Sequence, residues 1–327
     1  MKAKKILFLA SGLEGASCRF RVLQYLPYLR EMGLQVDVAD LAVPAEERRK
    51  VFESAAGYDR VVVHRTFLRF LDYQRFRRAV KSYVYDFDDA LMFRDSSHRK
   101  FNSWQRLLRF KRMVSGARAV IAGNTYLAHW AGLYNKHVTI IPTAIELKDY
   151  PAGNPGGGPE PIIGWIGTRV NLMYLETIIP ALSRAGQNAL RPKLKIVSDG
   201  FLDVPGMEVI KKNWSLKDEP ADVRSFQIGI MPLPNDPWTR GKCALKLLQY
   251  MAASVPVVCS PVGANIDVVE DGKSGYFATT EDEWVERLEE LLADPEKRRR
   301  FGQAGRETVE KKYSVQGNVE RLVETII

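Results

Sequence analysis

Residues 150–161 read YPAGNPGGGPEP. Proline lacks a backbone N–H and glycine lacks a restraining side chain, so a run this rich in both holds neither helix nor strand. It reads as a linker, and it divides the 327-residue chain nearly in half. Before it come six short apolar runs: KILFLASG, LQVDVADL, RVVVHR, SYVYDFDD, AVIAGN and VTIIPTA. After it come six more: PIIGWIGT, LKIVSD, MEVIKK, IGIMPLP, VPVVCS and SGYFA. Stretches of helical period lie between several of them, among them CRFRVLQYLPYLREMG (closed by Gly33), LMYLETIIPALSRAG and CALKLLQYMAAS. Repeated strand–helix–strand units predict parallel sheets with helices on both faces. The expectation is an α/β chain of two Rossmann-like parallel-sheet domains facing a cleft, over 1–150 and 162–314 with 151–161 between them. Open parallel sheets bind ligands at the carboxyl ends of their strands, which makes that cleft the expected site.

Composition narrows the class. Hydrophobic residues make up 46% of the chain, enough for large cores and too much for bulk disorder. The run ILFLASG after MKAKK is too short to cross a bilayer and lacks a small-residue cleavage site, so it reads as a first buried strand and not a signal peptide. No apolar run approaches the roughly 18 residues of a membrane helix. Cys18, Cys243 and Cys259 are odd in number and far apart. They make neither a metal-ligand spacing nor a disulfide framework, and a reducing cytoplasm is the expected location. The net charge of +9 is uneven: residues 1–150 hold 26 Lys/Arg against 15 Asp/Glu, a net of +11, and residues 151–327 hold 22 against 24, a net of −2. The first half is built to meet something anionic.

Residues 83–93, YVYDFDDALMF, end an apolar strand in Asp86, Asp88 and Asp89. The Asp-x-Asp resembles the first motif of haloacid-dehalogenase-type phosphatases, and VSDGFLD (197–203) imitates their late acidic motif. Those enzymes carry the motif on their opening strand followed by Gly-Thr, whereas here Asp89-Ala90 follows and no lysine motif lies between. The pattern also imitates the metal-binding Asp-x-Asp of glycosyltransferases with one nucleotide-binding domain, against which the two-sheet layout argues. A third reading is that the carboxylates cap the next helix.

The most informative stretch is WTRGKCALKLLQYMAASVPVVCSPVGANIDVVEDGKSGYF, residues 238–277. Gly241 and Lys242 are expected to open a helix, with Lys242 and Lys246 four apart on one face. Free N–H groups and two ammonium charges converging there make a phosphate site. Gln249 lies one turn beyond, and Gly263 in SPVGAN opens a second tight loop. A solvated amphipathic helix is the alternative, but ALKLLQYMAA is too apolar to expose much.

With IIGWIGTRVNLMYL before it and YSVQGNVERLV after it, this stretch resembles the nucleotide-sugar glycosyltransferases of the two-Rossmann (GT-B) fold, and among them the retaining family 4. The amino half is similar too: LASGLEGASCRFRVLQYLPYLREMGLQVDV, VYDFDDALM, AGNTYLAHW and IPTAIELKDY follow in the family's order. The resemblance implies that the last helix, about 315–327, joins the amino domain. It implies that Asp88 stands where many relatives carry a histidine approaching the transferred sugar, with Asp89 beside it. It places Gly167, Thr168, Arg169, Asp199, Trp214, Gly241, Lys242, Lys246, Gln249 and Gly263 on the donor side. Two departures stand out. The family's paired glutamates are replaced by Gly241 and Gln249, so a neutral amide would meet the ribose and backbone N–H groups the sugar. The family's Arg and Lys after the first carboxy-domain strand are replaced by a displaced Arg169 and by Met173.

The implied chemistry is transfer from a nucleotide-diphosphate sugar, with Arg169, Lys242, Lys246 and a helix N-terminus stabilising the departing diphosphate. The leaving phosphate takes the acceptor proton, and neither metal nor cofactor is required. On the acceptor side, Arg19 and Arg21 beside Gly15 are expected to hold an anionic group of a glycan or lipid-linked acceptor. The stretch HRKFNSWQRLLRFKRM (98–113) sets Phe101, Trp104, Leu107 and Leu108 among Lys and Arg, a pattern suited to an anionic membrane surface as well as to core packing. His64 ends another strand near the cleft, and a structural role is expected for it. Alternatives from other classes are a transfer-inactive GT-B scaffold protein and a nucleic-acid binder. The latter has no recognisable module to support it, so no nucleic-acid partner is expected.

Overall fold

In the computed structural model, residues 4–153 and 161–327 are described, and residues 154–160 of the linker lie outside them. Each of the twelve apolar runs forms a strand. β1 (Lys5–Ala10), β2 (Gln35–Asp40), β3 (Arg60–His64), β4 (Val84–Phe87), β5 (Ala119–Ala122) and β6 (Val138–Ile140) make one sheet in the order β2-β1-β3-β4-β5-β6. β7 (Ile162–Ile166), β8 (Lys193–Ser198), β9 (Val209–Asn213), β10 (Ile228–Met231), β11 (Val257–Cys259) and β12 (Gly275–Phe277) make the other, in the order β12-β11-β10-β7-β8-β9. Every pairing is parallel. The central strands are largely apolar because helices cover both faces. On one face of the amino sheet, Leu7, Leu9, Val63, Tyr85 and Phe87 pack with Phe76, Phe110 and Met113. On the other, Ile6, Phe8, Val62 and Val84 meet Tyr25, Val319, Leu322 and Ile326.

The chain resolves into two compact units: Met1–Ala144 with Asp236–Cys243 and Val315–Ile327, and Ile145–Asn235 with Ala244–Ser314. The short piece Asp236–Cys243 was not separable by sequence, and packing assigns it to the amino unit. Trp238 lies against the amino core. Asn124 Nδ2 donates to the Lys242 carbonyl at 3.1 Å, and the Cys243 thiol donates to the Asp88 carbonyl at 3.2 Å.

Two expected helices are broken. The one through CRFRVLQYLPYLREMG becomes Ala16–Arg21, a 3-10 turn Leu23–Tyr25, and Leu26–Glu31. Val22 leaves the helical region (φ −123°, ψ −65°), and Pro27, which has no N–H to give, starts the next turn. LMYLETIIPALSRAG likewise divides into Leu172–Glu176 and Ile179–Gly186, with Pro180 in the second segment's first turn.

Candidate active site

In the amino sheet β1 connects to β2 on one side while β3 pairs on its other side, so the topological switch point lies between β1 and β3. The carboxyl ends of these strands and of β4 carry a connected set of polar side chains. Asp86 and His64 are buried, and His64 Nδ1 lies 2.7 Å from Asp86 Oδ2. Arg21 pairs with Asp86 Oδ1 and donates to the Ile141 carbonyl at 2.9 Å. Ser17 Oγ lies 2.9 Å from His64 Nε2 and donates to Asp88 Oδ2 at 2.6 Å. Arg65 sits in the left-handed region (φ 55°), a conformation that costs a non-glycine residue energy. From there it reaches Asp89 at 2.5 Å and Asp88 at 3.7 Å.

Three carboxylates at one strand end are thus separated by their partners. Burial alone would raise Asp86, but the Arg21 guanidinium and His64 outweigh it and hold the carboxyl at about 2. Asp88 is also held below the usual carboxylate range, because Arg65, His64, Arg21 and the Ser17 hydroxyl outweigh its burial. Asp89 moves the other way. Burial raises it beyond what Arg65 and Lys242 offset, and neighbouring Asp88 adds to the rise. Of the adjacent pair, Asp88 is the more acidic member. Its Oδ1 is buried and accepts no hydrogen bond among the described residues.

Two expectations for this side change. Arg21 is only 6% exposed and fully engaged by Asp86 and a carbonyl, so it cannot also hold an acceptor phosphate. Arg19 is half-buried, with its guanidinium 4.9 Å from the Phe20 ring centroid, and Gly15 is exposed beside it. Gly241 and Lys242 do not open a helix. Gly241 closes a 3-10 turn, Lys242 is extended, and the helix begins at Leu245 after Ala244 turns left-handed (φ 56°). Lys242 and Lys246 therefore do not share a helical face, and they belong to different units. A Cβ at 241 would come 2.6 Å from the Ala90 backbone nitrogen, so only glycine fits. Its N–H is spent on the Trp238 carbonyl at 3.0 Å and is not offered to a sugar.

In the carboxy sheet the switch point lies between β7 and β10. The loop after β7 carries Gly167, Thr168 and Arg169, the last two exposed. Lys246, in the first turn of the helix Leu245–Ala252, extends toward this loop. Its Nζ lies 4.4 Å from the Trp165 ring centroid, and a Cβ on Gly167 would meet it at 3.0 Å. Asp199 accepts the Arg169 N–H at 2.6 Å, and the Arg169 side chain lies over Gly200. Trp214 N–H donates to the Ser198 carbonyl at 3.1 Å, which sets the indole at the same sheet edge, 39% exposed. Its Nε1 donates to Glu219 at 2.7 Å. Gln249 is buried and donates to the Tyr150 hydroxyl at 2.8 Å, which in turn donates to Glu219 at 2.7 Å. This Gln249–Tyr150–Glu219–Trp214 chain was not legible in the sequence, because its members are up to about a hundred residues apart. Gly263 takes φ 56° in the loop after β11, a backbone shape that favours glycine. A separate cavity of about 360 Å³ lies beyond β10 and β11, lined by Ile178, Leu233, Ser260, Val262, Thr279 and Trp284. None of the expected donor residues lines it. Among the described residues no group of three His, Cys, Asp or Glu is placed to hold a metal ion.

Residues 237–308 match the family described as glycosyl transferases group 1. A stretch of 78 residues is 36% identical to spore coat protein SA of Bacillus subtilis (strain 168), covering 23% of this chain and 21% of that relative, so the match spans about a fifth of its length. Among solved structures, sucrose-phosphate synthase from Thermosynechococcus elongatus superposes with a TM-score of 0.76 over 98% of both chains at 15% identity. Anabaena HepE in complex with UDP-glucose does so with a TM-score of 0.76 over 98% of this chain and 99% of that one, also at 15% identity.

Proposed function

We propose that this chain, whose fold is GT-B-like and whose residues 237–308 match the glycosyl transferases group 1 model, is a nucleotide-sugar glycosyltransferase that moves a sugar from a nucleotide diphosphate to a glycan or lipid-linked acceptor with retention at the anomeric carbon. The supporting observation is the arrangement around Lys246. A lysine in the first turn of a helix is aimed at a glycine loop at the switch point of a parallel sheet, and Arg169 and the half-exposed Trp214 follow strands β7 and β9 of the same sheet. Helix N–H groups and an ammonium together suit a diphosphate. The face of Trp214, with its edge tied to Glu219, suits a nucleobase. Arg169 and Lys246 then offset the charge growing on the departing diphosphate, without a metal. The leaving phosphate takes the acceptor proton, and Asp88 Oδ1 accepts from sugar or acceptor hydroxyls.

Charge and surface support a reading of the acceptor and location. On the helix Trp104–Ser115, Phe110, Met113 and Val114 enter the core, while Trp104 (71%) and Leu108 (49%) stay exposed. Arg112, one turn further, lies 5.2 Å from the ring of exposed Phe70. An apolar stripe interleaved with arginines suits docking on an anionic membrane from the cytoplasmic side, where a lipid-linked intermediate of surface polysaccharide would be the acceptor. Among the described residues no helix is long and apolar enough to cross a membrane.

A thermal-shift screen against UDP-, GDP-, ADP- and dTDP-sugars tests the donor, since a ligand that binds the folded state raises the melting point. Stabilisation by one nucleotide-sugar, with transfer or slow hydrolysis yielding the α-anomer from an α-donor, is the expected result. Stabilisation without turnover would leave a binding protein, and no stabilisation by any of them would overturn the donor assignment.

A further inference from the structure

We propose that Ser17 and His64 are positioning residues that act through Asp88, forming a hydrogen-bonded relay from the buried Asp86 to Asp88. The inference rests on the reading of Asp88 given above. Asp86, His64 and Ser17 have the connectivity of a nucleophilic triad: carboxylate to Nδ1 at 2.7 Å, Nε2 to hydroxyl at 2.9 Å. The fourth member excludes that use. The Ser17 hydroxyl has one proton, and the ionised Asp88 takes it at 2.6 Å. With its proton committed there, Ser17 Oγ can only accept from His64 Nε2. With a proton on both ring nitrogens the chain reads Asp86 accepting from Nδ1–H, Nε2–H donating to Ser17, and Ser17 donating to Asp88; with Nδ1–H alone, the Ser17 hydroxyl donates to either Nε2 or Asp88.

This order has a consequence at Asp88. Its Oδ2 is anchored by Ser17, and that leaves Oδ1, buried and without a hydrogen bond among the described residues, as the oxygen offered to a hydroxyl. If Nε2 loses its proton, one Ser17 proton must serve two acceptors, and Asp88 loses its anchor whenever the hydroxyl turns to the ring. The charged groups around the ring are Arg21 on its helix, Asp86 on β4, Asp88 and Asp89 just beyond, and Arg65 after β3. The Ser17 hydroxyl lies within hydrogen-bond distance of both the ring and Asp88, which makes it a link between them.

The chain holds four histidines, so the ring nitrogens of His64 can be followed by long-range 1H–15N correlation in the intact protein. Ser17→Ala and Asp88→Asn are each expected to shift the His64 Nε2 resonance, and Ser17→Thr to restore it. Nε2 signals indifferent to both substitutions, in variants whose melting is intact, would overturn the relay. With the nucleotide-sugar found by the screen, Ser17→Ala should lower kcat about tenfold with little change in donor KM. A relay seen by resonance with an unchanged kcat would overturn the role assigned to Asp88 while leaving the hydrogen-bonded contacts standing. Covalent capture of Ser17 by a fluorophosphonate probe would show a nucleophile and refute the relay.

Discussion

Replacing Asp86 with alanine would strand the Arg21 guanidinium in the amino core. The two side chains are 3% and 6% exposed, so water cannot take over from the lost carboxylate. Breaking a buried pair from one side typically costs about 3–5 kcal/mol, because the remaining charge stays desolvated and unpaired. The acid titration supplies a second figure. A carboxyl that falls from 3.8 to about 2 on folding contributes about 2 kcal/mol at neutral pH. That figure is already net of the burial cost, so it sets a floor. Because the folded value is the lower one, this stabilisation is complete above pH 4 and is lost as pH falls toward about 2. For a unit of this size, about 3–5 kcal/mol corresponds to a melting point lower by about 6–20 °C. Hydrogen exchange read by mass spectrometry should localise the loss to β1, β3 and β4 and spare β7 to β10. The variant's stability should also change less than wild type between pH 4 and pH 2. A loss below about 1 kcal/mol, or equal loss of protection in both sheets, would refute the view that this pair holds the amino unit together.

Lys246→Ala should weaken nucleotide-sugar binding by about 1.5–3 kcal/mol in calorimetry while melting stays intact. Unchanged affinity would remove Lys246 from the donor site. Asp88→Asn should lower turnover with binding of the free nucleoside diphosphate nearly unaltered, and parallel losses in both would point to a structural role. Flotation with anionic liposomes should recover the protein at low salt, release it at high salt, and recover less of a Trp104→Ala, Arg109→Glu variant; equal recovery with neutral lipid counts against membrane docking. Ser254 lies left-handed (φ 59°) at the end of the helix Leu245–Ala252, where its N–H bonds the Met251 carbonyl and that of Val255 bonds Tyr250, each at 2.9 Å. Ser254→Gly should therefore stabilise the carboxy unit by about 1 kcal/mol, measured by urea denaturation.

The sequence alone determined the strands, their parallel arrangement and the α/β class. Each quoted apolar run is local, its β-branched residues suit a strand buried on both faces, and the helical stretches between runs leave a parallel sheet as the consistent topology. It also pointed to Lys246, though as a residue one turn into a helix opened by Gly241 and Lys242, while Gly167 came from the resemblance to the GT-B family. Tertiary structure decided the rest. Spacing put Lys242 and Lys246 on one helix, but the close approach of Gly241 to Ala90 and the left-handed Ala244 end the turn between them. Charge pattern offered Arg21 to a ligand, whereas its burial against Asp86 consumes it. His64 read as structural and Ser17 carried no signal. Whether a serine, a histidine and two aspartates spread over 71 residues of sequence meet depends on the strand order β1-β3-β4, which places the three carboxyl ends side by side. Local pattern encodes periodicity and turns; the contacts that set charge and hydrogen-bond direction are non-local, and they exist only once the sheet has brought those strand ends together.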